Sequence, residues 1–191
     1  IAASISKSDL CSDLVGEYPE LQGVMGKYFA LSQGFEEDVA NSISDHYLPT
    51  GLTSELPKKP FSYSISIVDK VDTLVGFFVI NEKPTSSKDP FALRRSAIGL
   101  LRIIIENKLS LKLRELIGYA IRLYEEQGVQ IQNEKTEQEV LHFTKERMRN
   151  ILKLKNIKTD IIEAAISSHA GDNFLDLYKK TILMNKYKNK G

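Results

Sequence analysis

Apolar residues recur at three-to-four-residue spacing along almost the whole chain, and no segment sustains the apolar–polar alternation of a half-buried strand. The spacing therefore predicts an all-α fold. Leu10, Leu14 and Val15 mark a first short helix. Pro19 suits the first turn of a second, which carries Leu21, Val24, Met25 and Tyr28. A third runs through Val39, Ile43 and Tyr47 and stops near Pro49, where YLPTGLTSELPKKP reads as a surface loop. The stretch Phe61 to Ile80 carries a wide apolar stripe through Ile67, Val71, Leu74, Val75 and Phe78, as a central core helix does.

The segment KDPFALRR opens the next helix, expected over Phe91 to Ile105, with Asp89 as its N-cap and Pro90 at the first helical position. That helix is apolar over most of its circumference, so it should lie between others. A further amphipathic helix follows over Leu109 to Gln127. After Gly128 the helices become longer and more charged, over Thr136 to Leu154, Thr159 to Ser168 and Asp172 to Tyr187, which sets a domain boundary there: 1–128, then 129–191. The chain ends on the basic run KYKNKG.

A hydrophobic content of 42% is that of a chain able to bury a core. No apolar run approaches the roughly 18 residues of a membrane span, and no signal-peptide pattern is present. The first residue, Ile1, is consistent with a piece of a longer protein. One cysteine, Cys11, excludes an internal disulfide and points to a reducing compartment. The net charge of +1 hides an uneven distribution, because residues 1–57 hold nine acids against two bases and residues 145–191 eleven bases against five acids. Such asymmetry favours a polyanion near the basic end, unless both ends are simply solvated helix faces.

Chemistry-bearing constellations are sparse. No phosphate-binding glycine loop, dinucleotide fingerprint, serine elbow or zinc-spaced histidine set occurs, and His46, His142 and His169 are scattered. Asp69 and Asp72 share a helix face three residues apart, a pair suited to metal binding, acid–base work or ordinary ion pairing. The basic residues Lys88, Arg94, Arg95 and Arg102 are the strongest candidates. Arg94 and Arg95 sit in the first two turns of their helix, where the dipole disfavours cations. That placement implies a partner, either a phosphate or a carboxylate elsewhere in the protein. Arg102 lies two turns beyond Arg95, roughly 10 Å along the axis, and has Glu106 within intrahelical reach.

The segments EYPELQGVMGKYFAL (Glu17 to Leu31), HYLPTGLTSELP (His46 to Pro57), VDKVDTLVGFF (Val68 to Phe78) and KPTSSKDPFALRRSAIGLLRIIIE (Lys83 to Glu106) resemble, in content and order, the beta subunit of the bacterial heterotetrameric glycyl-tRNA synthetase. The likeness covers about residues 2–127. The remainder resembles the helical segment that leads towards the anticodon-binding domain of that family. The resemblance implies a tRNA-binding role in a cytoplasmic ligase without adenylation chemistry of its own, ATP and glycine being used by the alpha subunit. Its implied partners are the alpha subunit, glycine tRNA and the other beta-subunit domains, with no membrane. No cofactor is expected on this segment.

Residues 1–128 are also similar to an HD-type helical domain, the fold of metal-dependent phosphohydrolases. Where that pattern needs a His-Asp dipeptide this chain offers Lys7 and Asp9; His46 stands at a second histidine position and Asp69 or Asp72 at the final aspartate. The incomplete set implies no catalytic residue and no catalytic metal. The alternatives to the tRNA-binding role are an HD-type phosphohydrolase and a purely structural scaffold for subunit contacts.

Overall fold

The computed structural model describes residues 1–85, 87–169 and 171–188, so the end of the KYKNKG run, Asn189 to Gly191, lies outside the described residues. Among the described residues the chain forms ten α-helices, two short 3-10 turns and no strand, as its periodicity requires. They are α1 (Ala2–Ile5), α2 (Asp13–Glu17), α3 (Val24–Ser32), α4 (Glu37–Asp45), α5 (Pro60–Val79), α6 (Leu93–Glu106), α7 (Leu113–Glu126), α8 (Thr136–Leu154), α9 (Thr159–Ser167) and α10 (Phe174–Lys188). Two compact units divide inside α5, between Asp69 and Lys70.

The first unit is built on the α3–α4 hairpin. α3 ends through Gly34, whose φ of 82° lets the Phe35 amide turn back onto the Ala30 carbonyl at 3.0 Å. Ala30, Ala40 and Ile43 form its core, with Ile5, Phe35 and Val39 packed against them. The helices approach closely at Gly26, where an added Cβ would lie 2.7 Å from Ile43 Cγ2 and 3.2 Å from the Asp9 carboxyl carbon. Two expected elements differ here. Pro19 starts only a 3-10 turn, Pro19–Leu21, because Gly23 at φ 80° interrupts the helix before Val24. The first helix through Leu10 to Val15 is split by Ser12, which adopts an extended conformation and caps the Val15 amide at 3.3 Å.

The second unit is layered around α6, whose Leu93, Ala97, Leu100, Leu101, Ile103 and Ile104 are buried. α8, in which Val140, Thr144, Met148 and Leu152 are buried, packs on α6; α10 contacts α6, α8 and α9, and α7 contacts α8. The expected bounds of α8 coincide with the observed ones. Gly128, where the sequence suggests a boundary, terminates α7 at φ 78°, its amide donating to Glu125 at 2.9 Å.

The start of α6 is a correction. Asp89 is not its N-cap and Pro90 is not its first residue: Asp89–Ala92 is a turn closed by Ala92 N donating to the Asp89 carbonyl at 3.1 Å, and Ala92 stands at φ 53°, ψ 33°. A left-handed residue cannot continue a right-handed helix, so the helix begins at Leu93. Asp89 nevertheless caps it from outside. Its Oδ1 accepts the Leu93 amide at 2.9 Å and its Oδ2 the Arg94 amide at 3.0 Å. Phe91, expected in the core, is 42% exposed and stacks on Phe77 at 3.9 Å between ring centroids.

Candidate nucleic-acid interface

The four basic candidates divide into two that the protein uses and two that it leaves to solvent. The Arg94 guanidinium donates to the Thr85 carbonyl and lies 4.0 Å from Asp89 Oδ2, so it ties the preceding loop to the capped helix start. The same loop is closed by the Thr85 amide on the Lys88 carbonyl at 2.9 Å and the Lys88 amide on Thr85 Oγ1 at 3.1 Å. Arg102 is only 14% exposed and pairs with Glu106 at 3.4 Å one turn on. Lys88 and Arg95 are exposed. Among the described residues neither side chain has an ion pair.

Of the first-unit residues that the HD-type resemblance singles out, Asp9 and His46 both contact Tyr47. Asp9 is buried; its Oδ2 accepts the Gly23 amide at 2.6 Å and its Oδ1 faces the Tyr47 hydroxyl at 3.5 Å. His46 is fully buried, with Nδ1 2.7 Å from the Ile43 carbonyl and its ring 3.8 Å from that of Tyr47. Lys7 places its ammonium 2.5 Å from Asp69 Oδ1. Burial pushes the Tyr47 hydroxyl up to about 12, and the charges of Asp9 and Asp69 add to the rise while a hydrogen bond with Gln22 opposes it.

Asp72 is engaged within the second unit instead, where its Oδ1 accepts the Tyr124 hydroxyl at 2.9 Å. Burial, then that bond and charge, raise the Tyr124 pKa. Three residues of spacing thus put Asp69 and Asp72 on one helix face, where the first meets Lys7 and the second Tyr124. Among the described residues no group of three or more His, Cys, Asp or Glu side chains is placed to hold a metal ion, and no helix is long and apolar enough to cross a membrane. His142 is exposed. Burial and the charges of Lys145 and Lys180 lower the pKa of His169.

The family model described as glycyl-tRNA synthetase beta subunit matches residues 1–167. The chain belongs to this family. It is 43% identical over 172 residues to the glycine–tRNA ligase beta subunit of Rickettsia canadensis, covering 90% of the chain and 25% of that relative. It is 44% identical over 166 residues to that of Colwellia psychrerythraea, covering 87% and 24%, and 37% identical over 186 residues to that of Clostridioides difficile, covering 97% and 27%. The chain spans about a quarter of the length of the curated relatives it matches.

For this member of the glycyl-tRNA synthetase beta-subunit family, three side chains that matter to the geometry escape a reading by motif. Tyr47 organises the buried Asp9–His46 cluster, and its only sequence signal is adjacency to His46. Tyr124 holds Asp72 across 52 positions of chain, which leaves no local trace. Arg147 lies over Phe143 with its guanidinium carbon 4.3 Å from the ring centroid, and here the four-residue spacing on one helix is a usable signal.

Proposed function

We propose that this chain is a helical, tRNA-contacting part of a glycyl-tRNA synthetase beta subunit, in which Lys88 and Arg95 meet phosphates of glycine tRNA. In this reading it supports attachment of glycine to its tRNA in the bacterial cytoplasm without catalytic residues of its own. ATP and glycine are used by the alpha subunit, with which it assembles alongside the remaining beta-subunit domains. The observation that carries the reading is the division among the four cations: Arg94 and Arg102 are engaged by the protein, whereas Lys88 and Arg95 are exposed beside them. Exposed cations on a hydrogen-bonded loop and the first turn of a helix can replace condensed counterions on a phosphate backbone. The hydrolase alternative is not favoured, because Lys7 neutralises Asp69 and the Gly23 amide engages Asp9.

Mobility-shift binding of glycine tRNA at two salt concentrations tests the proposal with the Lys88→Ala, Arg95→Ala double variant. Each lost phosphate contact should flatten the log–log salt dependence by roughly 0.7–0.9, so the expected change is about 1–2 with a several-fold loss of affinity. Arg102→Ala should lower the melting temperature and leave the salt slope alone. Unchanged affinity and slope in the double variant would remove the assigned role of these two residues.

A further inference from the structure

A groove of about 610 Å³ opens in the second unit, lined by Lys83 to Thr85, Arg94 and the first three turns of α8. The protein has neutralised its charges unequally. Lys83 pairs with Glu139 at 2.5 Å, and Asn133 Nδ2 donates to the same carboxylate at 2.9 Å. That pairing holds the Glu139 carboxyl below its ordinary range. Glu146 is taken by Arg149, which also forks onto Glu163 at 2.8 and 3.0 Å, and His142 Nε2 stands 3.9 Å from Glu146.

Arg147 differs. Its Nε is shut off from water without a hydrogen-bond partner among the described residues, and no carboxylate there lies within ion-pair distance of its guanidinium. The charged neighbours that bear on it are Arg94, which opposes its charge, and Glu146 and Asp89, which favour it more weakly; burial and Arg94 together lower its pKa. Arg94 is held by the Thr85 carbonyl and lies 4.0 Å from Asp89, whereas Arg147 has no such partner among the described residues, and an anion between two arginines that oppose one another in a concave site would relieve both. On the aromatic floor, Phe143 with Phe78 tilted against it at 5.4 Å, the Arg147 guanidinium carbon lies 4.3 Å from the Phe143 centroid, a cation–π contact that holds the group in place without giving it an oxygen acceptor.

We propose that this groove is a phosphate-binding site in which Arg147, assisted by Arg94, holds the oxygens of a phosphate group. A guanidinium presents a planar fork that matches adjacent phosphate oxygens, and two such forks suit a phosphate better than a single carboxylate. The phosphate is either one of an RNA backbone or a free phosphate group, and the site itself does not depend on the tRNA reading above.

The test follows the ¹⁵N-labelled chain by NMR as inorganic phosphate is added at constant ionic strength. Amide and guanidinium signals of Arg94 and Arg147 should move saturably, with a dissociation constant on the order of 1 mM. Arg147→Met, which keeps an unbranched apolar side chain and removes the charge, should weaken binding at least about tenfold, as loss of charged hydrogen bonds does. Arg147→Lys should retain part of it. The Lys88→Ala, Arg95→Ala variant should titrate like the parent, which separates failure of this site from failure of the proposed tRNA contact. No saturable movement, or equal movement with chloride or acetate, would overturn the proposal. Saturating glycine tRNA then assigns the source: displacement of phosphate marks an RNA-backbone site, and persistence of the phosphate-bound signals marks a free-phosphate site.

Discussion

Replacing Asp89 by alanine should loosen the start of α6 more than any other single change in the KDPFALRR segment. The Asp89 carboxylate takes two of the otherwise orphan helix amides, at 2.9 and 3.0 Å, and its side chain is only 16% exposed. Loss of a capping side chain costs about 0.5–2 kcal/mol, and loss of a negative charge at a helix N-terminus a further 0.3–1 kcal/mol or so. The terms overlap, so about 2 kcal/mol is expected for Asp89→Ala. Asp89→Asn keeps one acceptor and loses the charge, and should cost about 1 kcal/mol. Because the chain forms two compact units, global unfolding is a blunt probe, and amide hydrogen exchange at Leu93 and Arg94 is the direct one. At 1.4 kcal/mol per decade, 2 kcal/mol corresponds to roughly 30-fold faster exchange through local opening. Exchange within about twofold of the parent at both amides would refute the view that Asp89, acting from outside the helix, sets its start.

Two other outcomes follow from the first unit. Gly26→Ala should destabilise by about 1–3 kcal/mol in urea unfolding, because its methyl group would press on Ile43 and on the buried Asp9; a neutral result would mean that α3 and α4 can separate freely. Tyr47 has a folded pKa of about 12 against an ordinary value of 10.0. The folded state therefore holds the phenolic proton longer, and stability present below about pH 10 should fall as pH rises towards 12, by about 1–2 kcal/mol once solvent screening of this part-exposed group is allowed for. Tyr47→Phe should lack this part of the loss, and parallel pH curves for the two proteins would sink the assignment.

Whatever rests on local spacing is legible along the chain alone. The 3.6-residue period of apolar side chains fixes that α5 and α8 are helices and bounds them within a residue or so, because each turn's burial depends on neighbours three and four positions away. The four quoted segments were enough to indicate the family that residues 1–167 match.

The pairing of the charges, by contrast, emerges on packing. Arg94 and Arg95 are adjacent and identical in type, yet one is bound to the Thr85 carbonyl nine positions back while the other faces solvent. Asp69 and Asp72 share a helix face, yet one meets Lys7 and the other Tyr124. The helix start moved from Phe91 to Leu93 because Ala92 takes a left-handed conformation that no local preference of alanine favours, and the Asp89 carboxylate rewards that turn by collecting two amides. Spacing along a chain reports which face a side chain occupies. Which group it meets there depends on segments as far as 62 residues away, and that pairing is settled only when they pack.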